Sequence, residues 1–450
     1  MEDLMTLTDV VAAPAPAPAP TPAAEPLLAV LGADLRVPLA TGGRARYVNL
    51  DHAATAPALA VVAERVDALL PLLGSVHRGN GIPSRAASAL YEGARERVAA
   101  ALGARDDDAV VFTRNTTDAT NLLAACVPAG AGDVVTLDVE HHANLLAWDR
   151  AAGGRRTVAH ARTIAGTLAR LDAALAARPA ALLAITGASN LTGEVLPLGD
   201  VVALARRHGA RTFVDAAQLA PHRAIDLKAL GVDYLALSGH KAYAPYGAGA
   251  LVGRPDWLDA AEPYLAGGGA VLDVTVDHVD WAVGPRRHEA GTPNVIGALA
   301  LATALEALGT VDVEAHEAAL RDHLLAGLAA LPEIETYKIW DDALDAIGTV
   351  AFTVGDLPPG LVSAYLSAEH GIGLRAGRFC AHPLLTRLGL PSGALRASFG
   401  LGSDLSDITR LLTALHALTT TGPTLTYIKT PSGWEPEHDP RDITTWLTTA

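Results

Sequence analysis

Two short apolar runs that each stop abruptly at polar side chains dominate the hydrophobic pattern of this 450-residue chain. The first is Arg211-Thr212-Phe213-Val214-Asp215, followed by Ala216-Ala217-Gln218. The second is Tyr234-Leu235-Ala236-Leu237-Ser238, followed by Gly239-His240-Lys241. Runs this short, rich in β-branched, aromatic or leucine residues and lacking inside-outside alternation, predict strands of a parallel sheet buried on both faces. Similar runs at Ala109–Thr113, Val134–Leu137 and Ala181–Thr186 alternate with helical patterns, one of which starts at Thr116. That alternation predicts an α/β fold with a mostly parallel sheet between helices.

Pattern also divides the chain. Residues 1–26 carry alternating Ala and Pro and predict a disordered arm. A short helical segment is expected after Leu27, leading into Arg46-Tyr47-Val48-Asn49-Leu50-Asp51. A large domain is expected over 46–294, and a smaller α+β domain over 27–45 and 295–418. The small domain opens with the Ala/Leu helix Val295–Leu308 and holds strand candidates at Ile347–Thr353 and Leu395–Phe399. Residues 419–450, rich in Thr and Pro, read as an extension.

Composition narrows the function. A formal net charge of −15 argues against a nucleic-acid backbone as partner. No apolar run reaches the roughly eighteen residues of a membrane span, and Met1-Glu2-Asp3 opens no secretory signal, so a cytoplasmic protein is expected. Two cysteines, Cys126 and Cys380, give no disulfide framework, and no metal site is expected.

The chemistry starts at the ends of the two strands. Ligands of open α/β sheets sit outside the carboxyl edge. One acid and one amine delivered there by neighbouring strands suit an aromatic aldehyde whose ring nitrogen needs the acid and whose carbonyl needs the amine, namely pyridoxal 5′-phosphate. Taken alone, each has a plain structural alternative: Asp215 as a turn or cap residue, Lys241 as a solvated surface charge. Ser238-Gly239-His240 directly before Lys241 makes those alternatives weak. Asp-x-x-Gln and Ser-x-His-Lys resemble the signatures of the class V aminotransferase family.

The resemblance runs colinearly from about Arg46 to Leu415 and is sharpest with the cysteine desulfurase and selenocysteine lyase branch. It is carried by Leu50-Asp51-His52-Ala53-Ala54-Thr55, Val76-His77-Arg78-Gly79, Thr116-Thr117, Glu140-His141-His142-Ala143-Asn144, Ser189-Asn190, Glu289-Ala290-Gly291-Thr292-Pro293-Asn294 and Arg375-Ala376-Gly377-Arg378-Phe379-Cys380-Ala381. It implies fold type I of the PLP-dependent transferases. It further implies that Lys241 holds the cofactor covalently and moves the substrate's α-proton, that Asp215 faces the ring nitrogen, and that Gln218 and Asn190 address the ring hydroxyl. His141 would stack on the ring. Thr116, Thr117, Ser238 and His240 would hold the phosphate, with Thr292 reaching the phosphate of a partner subunit in a homodimer with shared active sites. Arg396 would clamp the substrate carboxylate, with Arg375 beside it and Asn190 nearby.

Cys380 selects the reaction. It sits in a Gly/Pro-punctuated loop, whereas Cys126 lies in the apolar run Leu122-Leu123-Ala124-Ala125-Cys126-Val127 and is assigned to packing. Arg378 and His382 are expected to favour its thiolate, the reactive form. The resemblance then implies conversion of L-cysteine to L-alanine with a persulfide on Cys380 and delivery to a sulfur-acceptor protein. The chain departs from the pattern at Arg378-Phe379, where a polar, often His-containing pair is usual, at Gly187 in place of His, and at Asn115 in place of Gly. A second reading is another class V enzyme: a C–S lyase, selenocysteine lyase, epimerase or aminotransferase. A non-enzymatic scaffold retaining the fold is a third, opposed by the intact Lys241.

Overall fold

Seven strands make the larger sheet: β1 (Ala109–Thr113), β2 (Asp133–Leu137), β3 (Arg155–Val158), β4 (Ala180–Thr186), β5 (Arg211–Asp215), β6 (Tyr234–Ser238) and β7 (Gly249–Gly253). The structure is a computed structural model and describes residues 25–449. The strands lie in the order β1-β7-β6-β5-β4-β2-β3. All run one way except β7, which pairs antiparallel with both β1 and β6. Every residue of β2, β4, β6 and β7 is buried, as their unbroken apolar runs require. β5 and β6 are adjacent and parallel, so Asp215 and Ser238 end on one edge.

Helices cover the sheet on both faces. One core cluster combines Val135, Ile185, Val214 and Leu235 with Ala298, Leu301 and Ala302 of the helix Val295–Leu308. On the other face Leu122, Leu123 and Cys126 of the helix Thr116–Cys126 pack with Trp148, Phe213, Tyr234 and Leu251. Loss of solvent pushes the Cys126 thiol up to about 12, so it packs as an inert apolar group.

A second core belongs to a four-stranded sheet, β8 (Ile334–Tyr337), β9 (Thr349–Val354), β10 (Arg375–Gly377) and β11 (Ala394–Ser398), in the order β8-β9-β11-β10. Leu320, Leu324 and Leu328 form an i, i+4, i+8 stripe on the helix Val313–Ala329 that packs in this core with Phe352 and Phe399. Val48 and Leu50 belong to it too, because Val48–Asn49 pairs in parallel with Ile372–Gly373. Between the two bodies, Glu194 accepts from Ile339 N at 2.7 Å and Trp340 N at 2.8 Å, and His222 pairs with Glu317.

The segment after Leu27 corrects the sequence reading. In place of a helix it forms turns and then a hairpin, Arg36–Pro38 against Arg44–Arg46. The turn needs Gly42 and Gly43, whose φ angles of +98° and +76° disfavour any residue with a Cβ. The arm expected over 1–26 lies, Glu25 and Pro26 apart, outside the described residues.

The terminal extension is ordered against the smaller body. Its hairpin Tyr427–Thr430/Gly433–Pro436 lies on the helix Pro359–His370. Glu369 of that helix is buried and accepts from Thr424 N, Leu425 N and the Tyr427 hydroxyl at 3.0–3.1 Å. Glu369→Ala is therefore expected to leave three donors unpaired and lower stability by about 2 kcal/mol, read from urea unfolding. An unchanged midpoint would mean that the extension adds nothing to the fold.

Candidate active site

The carboxyl edge of the large sheet opens into a cavity of about 210 Å³. Thr116 and Thr117 follow β1, His141 follows β2, Asn190 follows β4, Asp215 and Gln218 close β5, and Ser238, His240 and Lys241 close β6. From the smaller body Arg375, Phe379, Cys380 and Arg396 complete the lining. The sequence-derived residues therefore converge, with one exception. Thr292 is exposed and lines neighbouring clefts with Tyr91, Glu289 and Pro293, not this cavity.

Backbone constraints explain the placement. Ser238-Gly239 turns sharply out of β6, and a Cβ on Gly239 would come within 2.7 Å of the Ala248 carbonyl. Lys241 N donates to Ser238 O at 3.2 Å, which directs the lysine to the cavity. At the other end of the cavity, the side chain of Asn115 caps the helix Thr116–Cys126 by accepting from Asp118 N at 3.0 Å. The Ser238 hydroxyl accepts from Thr116 N at 2.8 Å and lies 2.7 Å from the Thr116 hydroxyl. Hydroxyls thus cluster at a helix N-terminus, where anions are favoured. His240 Nδ1 lies 3.2 Å from the Thr55 hydroxyl.

Burial sets the protonation states. Desolvation lowers the Lys241 amine to about 8, against the opposing pull of Asp215. Desolvation also raises the Asp215 carboxyl above its ordinary value, although Ala217 N donates to Oδ1 at 3.0 Å and Lys241 pulls the other way. His141 is held neutral, its pKa lowered to about 3 by burial and by the charges of Lys241 and Arg396. Its Nδ1 accepts from Ala143 N at 3.0 Å, so the ring proton sits on Nε2.

Two features test whether the residues suit pyridoxal phosphate. Gln218 donates through Nε2 to Ala53 O at 2.7 Å, while its Oε1 is buried without a hydrogen-bond partner in a residue that lines the cavity. Such an atom calls for a ligand donor. Asp215 is likewise a desolvated acid that a cationic ring N–H would relieve. The donor set fits the cofactor.

Arg396 has the partner that an arginine in an apolar strand requires. Its Nη2 donates to Asp51 Oδ1 at 2.8 Å and its Nη1 to Asn190 O at 2.9 Å, while Nε is buried and unpartnered. Asp51 escaped the sequence reading as a site residue, although Leu50-Asp51-His52 was part of the resemblance. Phe379 escaped it too: its ring lies 5.1 Å from the Arg396 guanidinium carbon. Cys380 is exposed at the cavity, next in the chain to that ring. His382, expected to assist the thiol, packs edge-on to His142 at 4.5 Å.

The comparisons agree with this geometry. The family model for aminotransferase class V matches residues 48–411. A cysteine desulfurase of Dickeya dadantii is 37% identical over 383 residues, covering 82% of this chain and 91% of that one. The crystal structure of the Escherichia coli cysteine desulfurase CsdA is 34% identical, with a TM-score of 0.74 over 83% of this chain and 94% of that chain. The apo cysteine desulfurase of Thermococcus onnurineus gives 0.76 at 32% identity, covering 83% and 94%. With the matched region spanning both bodies and every strand that lines the cavity, the chain belongs to the class V aminotransferase family.

Proposed function

We propose that the protein is a pyridoxal phosphate-dependent cysteine desulfurase, converting L-cysteine to L-alanine and leaving a persulfide on Cys380. The observation that carries this reading is the convergence of Lys241, Asp215, Arg396 and Cys380 on one cavity. A lyase or aminotransferase would use the first three and have no need of a thiol there. Bound cofactor would supply an electron-accepting ring that stabilises negative charge at the amino acid's α-carbon.

The chain's own groups supply the rest. Asp215 would keep the proton on the ring nitrogen, and Gln218 Oε1 would accept from the ring hydroxyl with Asn190 beside it. Thr116, Thr117, Ser238 and His240 would bind the phosphate. Arg396 receives the substrate carboxylate through N–H groups that Asp51 and Asn190 leave free, Nε among them, and Arg375 adds positive charge at the mouth. His141, neutral and with its proton on Nε2, would pack against the ring. Lys241 Nζ, its pKa lowered to about 8 so that a part of it is unprotonated near physiological pH, takes the α-proton and later returns one. Cys380 Sγ attacks the substrate sulfur: an S–S bond forms, the Cβ–S bond breaks with its electron pair going to carbon, and that carbon takes up a proton. The persulfide then passes to an acceptor protein or thiol.

Thr292 lies outside this chain's cavity, and we assign it to the phosphate of a second copy in a homodimer. A reducing cytoplasm suits a free, exposed thiol. No single helix among the described residues is long and apolar enough to cross a membrane. Product analysis tests the reading. Turnover of L-cysteine with a reducing thiol is expected to yield L-alanine and sulfide in equal amounts, and pyruvate in place of alanine would make the protein a lyase.

A further inference from the structure

Phe379 and Cys380 share a backbone conformation that side chains with a Cβ avoid, with φ angles of +50° and +53°. Three hydrogen bonds hold the pair there. The Asn190 side chain donates to Phe379 O at 2.8 Å, His142 N donates to Cys380 O at 2.9 Å, and Ala381 N closes the turn onto Arg378 O at 2.9 Å. Asn190 also accepts from Arg396 through its own carbonyl, so one residue ties the thiol loop to the arginine. The Phe379 ring is buried and forms part of the core cluster with Ala381, Leu384 and Leu385. It lies over the Arg396 guanidinium.

We propose that Phe379 is a positioning residue for the substrate, sealing one face of the Arg396 guanidinium and fixing the span between that carboxylate clamp and the Cys380 thiol. The inference rests on the desulfurase reading. A ring over the guanidinium excludes water from that face, which strengthens a carboxylate pair formed at its edge. Because the ring is fixed and Cys380 is its chain neighbour, the thiol can shift little relative to Arg396. A substrate held by its carboxylate therefore presents its sulfur to a thiol whose place is already set, and a misplacement on the order of 1 Å would cost roughly a hundredfold in rate.

The test uses cofactor-loaded wild type, Phe379→Tyr and Phe379→Leu, with L-cysteine as substrate. L-Alanine affinity is followed separately through the cofactor's visible absorbance, and melting temperature is recorded for each protein. Phe379→Leu is expected to raise the KM for L-cysteine and the Kd for L-alanine about tenfold, with a smaller change in kcat. Phe379→Tyr, which retains the ring, should recover most of the lost affinity. Unchanged KM and Kd in Phe379→Leu would overturn the inference. So would equal losses in both variants that track melting temperature, since that pattern marks simple packing. L-Cysteine turnover by Cys380→Ser at the wild-type rate would instead overturn the desulfurase reading, and is measured before any Phe379 variant.

Discussion

Lys241→Ala is expected to abolish covalent attachment of pyridoxal phosphate and to reduce turnover of L-cysteine below detection. The lysine is the amine at the closed end of β6, its charge weakened by desolvation and its position set by the Ser238-Gly239 turn. Removing the amine leaves the phosphate donors and Asp215 in place, so cofactor should still bind, but reversibly. Borohydride reduction followed by peptide mass analysis reads the difference: wild type is labelled on Lys241, the variant nowhere. A variant labelled to the same extent would sink the assignment. The pH dependence carries a sign as well. Only the neutral amine is a nucleophile, and its pKa is lowered to about 8. The rate of covalent uptake by the cofactor-free protein should rise about tenfold per pH unit below that value and level off above it. An amine at the ordinary lysine value would keep the rate rising well beyond pH 9.

The two catalytic strands were legible because burial on both faces writes itself as an unbroken apolar run, and because the run has to stop where side chains meet ligand. The helix Val295–Leu308 was legible in the same way, since all but three of its residues are buried. Short antiparallel pairs were not. Val37-Pro38-Leu39 carries too little pattern to separate strand from helix, and only Gly42-Gly43 signals the turn. The extension at 419–450 read only as an extension, because Tyr427 and Trp434 reveal their use only once the helix Pro359–His370 lies beneath them.

At the site, residues on the carboxyl edge could be read one strand at a time, whereas pairings between distant segments could not. Asp51 meets Arg396 across 345 positions. The sequence could say that a buried arginine needs a partner but not which one. Phe379 is harder still, because a left-handed φ at that residue has no local sign when the residue is not glycine. Thr292 shows the opposite limit. Motif order places it with the cofactor residues, while the fold places it on the surface of its own chain, away from the cavity.

Cys380→Ser should retain the full cofactor load and lose desulfurase turnover by on the order of 10³-fold or more, the second large effect expected of this site. The substitution keeps the size of the side chain and the Phe379–Cys380 turn, so the Asn190 and His142 hydrogen bonds persist. What it removes is the sulfur nucleophile: a hydroxyl near Lys241 is far too weakly acidic to attack a substrate thiol. Single-turnover incubation with L-cysteine and no reductant, followed by intact mass, should show one added sulfur atom on wild type and none on the variant. Cys126→Ala is the internal control. Cys126 is buried in the core with its thiol pushed up to about 12, and its loss should leave the added sulfur in place. Equal alanine formation by wild type and Cys380→Ser would show that sulfur leaves without help from the thiol. Cys380 would then be a bystander at the cavity mouth, with a thiol from solution accepting the sulfur in its place, whereas pyruvate from both proteins would favour the lyase reading.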